Sequence, residues 1–427
     1  MRFWQKLTEY LFYLFVFLFP WQVKLILRPA ATNFNEIGFY FTQCLLLVII
    51  LLFLILKLRE RNENETISPL WYLLAGLELF VFISVLLAPD RFLALYHYLL
   101  FLLALGLFFL TREGTAVFNY QDSFFNKAKI IYSFLAGLLL QAVLGIYQFL
   151  SQGSFAFKYL GLALHDPAVL GTAVIETASG RWLRAYGGLD HPNILGGVLA
   201  LGLLLSAYLL ARKKMLNNAR NLLESVFLFL FYFIALSALF FTFSRAAWLA
   251  FAVGLLILFF RLRRQKDRWV FSRFVALLFF SLTLILIVVS PFHELVAARV
   301  SAETRLEQKS ISEREQYLGQ AATLLKSNWF LGVGLGNYTV ALALIEPGGE
   351  PTAYQPVHDV LLLLWAESGL ISLFFFLAFL YVLFKKNRRE AYALVLGGAL
   401  LVLLFFDHWL LSLPFGVLFF FFILGLI

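Results

Sequence analysis

The sequence of 427 residues contains one cysteine, two methionines and few charged side chains. Asp, Glu, Lys and Arg make up only 14% of it, against about 25% in an average soluble protein. This composition excludes an ordinary soluble domain. The single cysteine, Cys44, excludes an intramolecular disulfide bond.

The sequence also lacks the short motifs of several enzyme classes. It has no Asp-x-Asp pair, no Walker loop and no Gly-x-Ser-x-Gly elbow. No cluster of carboxylates, or of His and Cys, occurs at metal-ligand spacing in the predicted loops. The segment Gly332 to Asn337 is rich in glycine, but no βαβ unit surrounds it, so we interpret it as a tight turn. We therefore predict a protein without a metal ion or cofactor.

Apolar residues are abundant, since they form 62% of the chain and come in runs of about 20 residues. A helix of that length crosses about 30 Å of hydrocarbon. The runs predict an all-α polytopic membrane protein with about twelve transmembrane helices. The predicted spans are 9–28, 36–56, 70–88, 92–110, 128–150, 191–211, 223–243, 245–262, 272–290, 358–384, 391–408 and 412–427. The seventh and eighth are separated by only a few residues, so a re-entrant pair is an alternative.

Basic residues are distributed unevenly between the two sides of this predicted bundle. If the N-terminus is cytoplasmic, 22 of the 34 Lys and Arg residues fall on the cytoplasmic side. This bias predicts that both termini are cytoplasmic. It also explains the net charge of +9 without a nucleic-acid partner.

Two long loops then face outward, 151–190 and 291–357, and we treat residues 1–427 as a single integral membrane domain. In the larger loop, an N-cap-like Ser and apolar helical spacing predict an amphipathic helix at the membrane surface over 312–327. The six histidines all fall at or near the same outer side, and they are His97, His165, His191, His293, His358 and His408. Because histidine exchanges protons near neutral pH, we expect chemistry at this face.

Arg184 and Arg245 lie on the outer side, against the positive-inside trend, at the ends of predicted spans. Each side chain could simply snorkel to the membrane interface. Alternatively, the two planar guanidinium groups grip a phosphate or diphosphate through paired hydrogen bonds. Arg181 is a weaker candidate for the same role.

His358 opens the tenth span and is either a structural helix-start residue or a general base for a sugar hydroxyl. Asp359 and Glu367 do not share its helix face, so neither is automatically its orienting carboxylate. Glu78 lies in the middle of the third span. Such a carboxylate is either functional or hydrogen-bonded inside the bundle, with Gln141 as a possible partner.

Taken in order, these motifs resemble the O-antigen ligase and polymerase superfamily over roughly residues 130 to 410. The matching pieces are Arg184-x-x-Gly187-x-x-x-His191-Pro192-Asn193-x-x-Gly196, Thr242-x-Ser244-Arg245, Arg314 with the glycine turn, and His358-x-x-x-Leu362-x-x-x-x-Glu367-x-Gly369. One departure is Asp359, because that family often has Asn after the histidine.

The resemblance implies a GT-C-like glycosyltransferase of the bacterial inner membrane, with its active site facing the periplasm. Such enzymes are metal-independent and inverting, and they move a glycan from an undecaprenyl-diphosphate carrier to a lipid or glycan acceptor. It implies diphosphate binding by Arg184 and Arg245 and a base role for His358. The predicted substrate-binding residues are Arg314, His191, Asn193 and Arg181.

Alternatives to an O-antigen ligase remain open. Within the superfamily, the chain could be an O-unit polymerase or a protein O-oligosaccharyltransferase. Outside it, a transporter or flippase of an anionic envelope precursor would use the same arginines as a binding site. A non-catalytic assembly partner in envelope biogenesis would leave the arginines and His358 without a role.

Overall fold

The computed structural model describes residues 2–30, 34–59, 68–115, 124–178, 180–213, 218–301, 304–349 and 353–427. These residues form mainly helices, with two short β-hairpins. The helices are α1 (Arg2–Leu18), α2 (Phe41–Arg59), α3 (Pro69–Leu87), α4 (Arg91–Thr115), α5 (Lys127–Ser151), α6 (Pro192–Arg212), α7 (Ala219–Phe241), α8 (Arg245–Arg263), α9 (Arg268–Val289), α10 (His293–Ser301), α11 (Arg305–Asn328), α12 (Tyr338–Ile345), α13 (Val360–Asn387), α14 (Ala391–Phe406), α15 (Trp409–Ser412) and α16 (Pro414–Leu426). The strands are β1 (Lys24–Arg28), β2 (Ile37–Tyr40), β3 (Val174–Thr177) and β4 (Gly180–Leu183).

The predicted all-α membrane fold is confirmed, because each of the twelve predicted spans contains a helix. Within the described chain, nine helical stretches are long and apolar enough to cross a membrane. They comprise α2 to α8, α13 and the stretch that begins with α9. Helices α14 and α16 are apolar but shorter. The chain is therefore a multi-pass membrane protein, whereas the side that each loop faces stays a prediction.

The first predicted span, 9–28, was wrong in its second half. Helix α1 ends at Leu18, and Lys24–Arg28 is strand β1, paired antiparallel with β2. The chain turns at Phe19 and Pro20, because proline cannot donate an amide hydrogen bond and disfavours helical geometry in the residue before it. The apolar side chains of β1 are of the types found in a membrane helix, which explains why the composition of this segment predicts one.

Helix α6 lies at the centre of the bundle, with 17 of its 21 residues buried. Two glycines near its N-terminus permit close approach of neighbouring segments. A Cβ atom at Gly196 would lie 2.9 Å from Thr242 Oγ1, and one at Gly197 would lie 2.8 Å from the Trp409 ring. These contacts bring the α7–α8 turn and the start of α15 against the beginning of α6. Helices α7 and α8 are two separate long helices rather than a re-entrant pair.

The loop 291–357 contains α10, α11 and α12, and α11 begins seven residues earlier than the predicted 312–327 helix. Its first turn is stabilised by Glu307, which pairs with two arginines from elsewhere in the chain. Sequence spacing cannot reveal such a contact. Along α11, Tyr317, Ala321 and Leu324 are buried, and the helix packs against α12 and α13.

The glycine segment 332–337 is a turn, as predicted, and backbone hydrogen bonds join it to a kink in α13. Gly332, Gly334 and Gly336 all adopt positive φ angles. Val333 N donates to the carbonyl of Ala366 at 2.9 Å, and Gly334 N donates to that of Glu367 at 2.8 Å. These donors satisfy carbonyl groups that the kink at Gly369 releases from the helix.

Glu78 has a partner inside the bundle, but the partner is Tyr98 of α4 rather than Gln141. The Tyr98 hydroxyl donates to Glu78 Oε1. Gln141 instead accepts a hydrogen bond from Gly188 N at 2.5 Å. The predicted pairing was wrong because Glu78 and Gln141 lie on helices whose neighbours the sequence does not specify.

A pair of glycine-to-alanine substitutions tests the packing of α1 against α5. In Gly137→Ala, the new Cβ would lie 2.1 Å from the carbonyl oxygen of Phe17, so we expect a loss of about 1–3 kcal/mol in stability. Gly319→Ala is the matched control, since nothing lies within 4 Å of a Cβ there. Thermal unfolding in detergent measures both. Equal melting temperatures for Gly137→Ala and wild type would contradict the close contact.

Candidate active site

Four segments meet at one end of the bundle, and helix capping fixes three of them. His191 is the N-cap of α6, and its Nδ1 accepts from Asn193 N at 3.1 Å, with Pro192 at the favoured first helical position. Ser244 caps α8, and Asp359 caps α13 by accepting from Leu362 N at 2.9 Å. The fourth segment is the α14–α15 junction at residues 407–408. Asp359 therefore serves as a helix cap.

Arg184 is buried, with 5% of its surface exposed, and its guanidinium contacts protein groups. Nε donates to the carbonyl of Thr242 and Nη2 to Asn193 Oδ1, both at 2.7 Å. Burial, aided by the positive charge of Arg299, lowers the pKa of Arg184 to about 9. This side chain joins the end of β4 to the α7–α8 turn and to α6. Its predicted direct contact with a diphosphate stays a prediction.

Asn193 extends this link to the last segment. Its Nδ2 donates to Asp407 Oδ2 at 3.1 Å, while its Oδ1 accepts from Arg184. Asp407 is itself buried, and its Oδ1 accepts from His408 N at 2.9 Å. Asn193 and Asp407 therefore form a hydrogen-bonded bridge. Asn193 lines two cavities, and Asp407 lines one of them.

The first of these, the basic cavity, has a volume of about 210 Å³. It contains three guanidinium groups and one apolar edge. It is lined by Asn193, Ser244, Arg245, Ala246, Leu249, Arg299, Arg314 and Phe406.

One buried carboxylate, Glu307, serves two of these arginines. It pairs with Arg299, and it lies 3.2 Å from Arg245 Nη2. Arg299 also donates to the carbonyl of Phe243 at 3.0 Å. Arg314 has no hydrogen bond or ion pair with the part of the chain that the structure describes. Three arginines against one carboxylate leave an excess of positive charge, so this cavity suits an anion.

The second, the histidine cavity, has a volume of about 390 Å³ and shares Asn193 with the basic cavity. Aromatic rings, carboxylates and imidazoles line it, a combination that suits the hydroxyl groups and apolar faces of sugars. Its lining includes Lys24, Phe34, Glu36, Tyr40, Tyr96, His97, Asp190, His191, Asn193, Gln355, His358, Asp407, His408, Trp409 and Ser412.

His358 lies between two rings in this cavity. It stacks on Tyr317 at a centroid distance of 5.7 Å and meets His408 edge-on at 4.7 Å. Its Nδ1 is buried without a hydrogen-bond partner among the described residues. Burial lowers the pKa of His358, which the nearby Asp407 carboxylate partly offsets. The imidazole is therefore neutral at pH 7, which is the form that can accept a proton.

The other predicted residues fall in different places. His191 lines the histidine cavity, and burial together with the charge of Arg184 lowers its pKa to about 3. Arg245 and Arg314 line the basic cavity. Arg181 lies on β4, donates to the carbonyl of Val169 at 3.5 Å, and lines neither cavity.

Sequence reasoning missed four residues of this site: Arg299, Glu307, Asp407 and His408. A signal existed for one pair, because Asp407 and His408 follow an apolar run just as Asp190 and His191 precede one. The sequence pattern indicates His408 only as one of the six outer histidines. Arg299 and Glu307 carry no local signal, since their importance comes from contacts across the fold.

Removing Glu307 tests the electrostatics of the basic cavity. In Glu307→Ala, Arg299 loses its buried partner, so we expect a loss of about 3–5 kcal/mol in stability. Glu313→Ala on the same helix is the control, because its ion pair with Lys309 is exposed and contributes little. Thermal unfolding in detergent at moderate salt separates the two. Similar melting temperatures for both variants would refute a buried ion pair.

Comparison with known proteins agrees with this geometry. No curated protein matches the chain. Residues 230–377 match the family model Wzy_C, described as O-antigen ligase, and this segment contains Arg245, Arg314 and His358. That family implies a glycosyltransferase-like enzyme that acts in a membrane on a lipid-linked glycan and an acceptor. Residues 230–377 are therefore similar to the O-antigen ligase family, as the sequence motifs predict.

Proposed function

We propose that the protein transfers a glycan from an undecaprenyl-diphosphate carrier to an acceptor hydroxyl at the outer face of the bacterial inner membrane. It would act as an O-antigen ligase-like, metal-independent, inverting glycosyltransferase. One observation carries the proposal: a cavity with three arginines meets a cavity with a neutral histidine across the Asn193–Asp407 bridge. A diphosphate and an attacking hydroxyl need these two environments side by side.

The basic cavity is the donor side in this proposal. Arg314 offers a guanidinium that has no partner among the described residues, and Arg245 is held in place by Glu307 while remaining partly exposed. Such planar groups bind phosphate oxygens through two hydrogen bonds and stabilise the charge that grows as the diphosphate leaves. Two lining residues, Leu249 and Phe406, are 44% and 45% exposed. They form an apolar edge along which the polyprenyl chain leaves toward the lipid.

The histidine cavity is the acceptor side. His358 takes the proton of the acceptor hydroxyl as that oxygen forms a bond to the anomeric carbon. The bond from the anomeric carbon to the diphosphate oxygen breaks on the opposite face, so the configuration inverts. The negative charge moves onto the diphosphate, where the arginines stabilise it. The proton remains on His358 until solvent removes it.

Arg184, His191 and Asn193 are positioning residues in this scheme. Arg184 holds Asn193 and the α7–α8 turn, and that turn presents Arg245. His191 fixes the backbone of Asn193 through its cap hydrogen bond. Their loss would misplace the donor relative to His358, and displacements of about 1 Å can cost about 100-fold in rate.

Two substitutions separate the donor and acceptor sides. Arg314→Ala and His358→Ala should each lower the transfer rate by at least about 100-fold, because the first removes charge stabilisation of the diphosphate and the second removes the base. Arg305→Ala is the control on the same helix as Arg314, since its ion pair with Glu176 is exposed. Purified variants are assayed with a short undecaprenyl-diphosphate glycan and EDTA, with product measured by mass spectrometry.

The acceptor in that assay distinguishes the branches of the superfamily. One reaction contains a lipid-A core and the other only further donor. Product on the lipid core identifies a ligase, and a ladder on the carrier identifies a polymerase. Full transfer by both Arg314→Ala and His358→Ala would refute the mechanism. Labelled-donor movement across vesicles without transfer would favour a flippase.

The pH dependence of transfer tests the base. Burial lowers the pKa of His358, so its neutral form persists at pH values where an ordinary histidine is already protonated. The transfer rate should fall only when the pH drops through this lowered pKa. A base with an ordinary pKa near 6.5 would retain about a quarter of its rate on going from pH 7.5 to pH 6. We expect the wild-type rate at pH 6 to stay well above that fraction. A fall to a quarter or less would contradict a buried base.

A further inference from the structure

Three side chains in the histidine cavity form a compact group of metal-ligand type. His358, Asp407 and His408 each offer one ligand atom, and these atoms all lie within 4.8 Å of one another. No other group of three or more His, Cys, Asp or Glu residues meets this condition in the described chain. Asp407 and His408 are buried and His358 is half-buried, so this is no ordinary surface cluster.

We propose that His358, Asp407 and His408 form a binding site for a zinc-like divalent ion, and that the bound ion blocks glycan transfer by occupying His358. The inhibitory half of this statement rests on the proposed function, whereas the binding half does not. Two imidazoles and one carboxylate form a set that Zn²⁺ prefers, and three protein ligands leave one position open. Mg²⁺ and Ca²⁺ prefer sets made of oxygen alone.

The group needs little movement to close on an ion. Ligand atoms in a tetrahedral zinc site lie about 3.4 Å apart, given zinc-to-nitrogen distances of about 2.0–2.1 Å. The present separations of up to 4.8 Å therefore have to shorten by no more than about 1.4 Å. His358 is half-buried, so a rotation of its ring could supply part of this shift.

Hydrogen bonds around His408 determine which nitrogen it can offer. Ser412 Oγ lies 3.1 Å from the carbonyl oxygen of His408 and 2.6 Å from His408 Nδ1. In the tautomer that donates from Nδ1 to Ser412 Oγ, Nε2 keeps a free lone pair for an ion. Zinc-bound histidines have this kind of outer contact on their second nitrogen.

Asp407 is held in the same manner, since Asn193 Nδ2 and His408 N each donate to one of its oxygens. His358 Nδ1 is buried and lacks a partner among the described residues. A buried polar nitrogen without a partner costs free energy, which a bound ion would recover.

Other charges set the strength of the site. Glu36 and Asp190 line the same cavity and attract a cation, as does Asp407 itself. Arg314 and Lys24 oppose it, because Arg314 acts on both histidines and Lys24 lines the cavity. We therefore expect reversible binding that a chelator removes. Since the arginines of the basic cavity are not ligands, Zn²⁺ should lower kcat without weakening the donor KM.

Direct metal binding tests the site without any transfer assay. Chelator-treated protein in detergent is titrated with Zn²⁺ by calorimetry and with Co²⁺ by visible absorption. We expect about one ion per chain and the absorption of a tetrahedral Co²⁺ site. His408→Gln and Asp407→Asn should each weaken Zn²⁺ binding at least tenfold. His293→Gln, a control at an exposed histidine of α10, should bind as wild type does.

Several results would overturn the proposal: no Zn²⁺ binding, equal binding of Mg²⁺, or binding that survives both His408→Gln and Asp407→Asn. Thermal unfolding shows whether each variant is folded. If His408→Gln does not fold, the Zn²⁺ binding of Asp407→Asn alone tests the site. The proposed inhibition is tested by measuring glycan transfer by the metal-free wild type, then after addition of Zn²⁺, and finally after addition of EDTA. We expect Zn²⁺ to stop transfer and EDTA to restore it. Zn²⁺ binding without any metal-free transfer would contradict the proposed function alone, and unchanged transfer with Zn²⁺ bound would contradict the inhibition.

Discussion

A chain of hydrogen bonds from the Arg184 guanidinium through the Asn193 amide to the Asp407 carboxylate holds the two cavities side by side. It joins β4, the start of α6 and the α14–α15 junction, three segments that are distant in sequence. An amide suits this position because it donates to a carboxylate and accepts from a guanidinium at once. Either charged replacement of Asn193 would lose one of these two contacts.

The same constraint determines the charge balance of the site. Arg184 is buried and committed to protein groups, which leaves Arg245, Arg299 and Arg314 around the basic cavity with Glu307 as their buried carboxylate. Buried cations are costly unless partners satisfy them. The excess of positive charge therefore supports the proposed binding of an anionic ligand, in keeping with the O-antigen ligase match over residues 230–377.

Much of the fold was predictable, because apolar runs of about 20 residues predict helices regardless of which neighbours they contact. The errors occurred where a local feature or a distant contact decided the outcome. Pro20 ended the first helix early, and Glu307 started α11 early by pairing with arginines outside that helix. In the site, residue type and position indicate Arg245 and His358, and the family motifs add Arg314, His191 and Asn193; all five line a cavity. Arg181 was named on the same grounds and lines neither.

By itself, the sequence determined that this is a helical membrane protein, and it fixed the order of its family motifs. These properties follow from composition and local spacing, which survive without knowledge of the packing. The tertiary structure alone decided that Arg184 bonds to Thr242 and Asn193, that Asp407 and His408 lie beside His358, and that Arg299 lines the basic cavity in an ion pair with Glu307. Such contacts depend on how close the helices approach, which here is set by small residues such as Gly196 and Gly197.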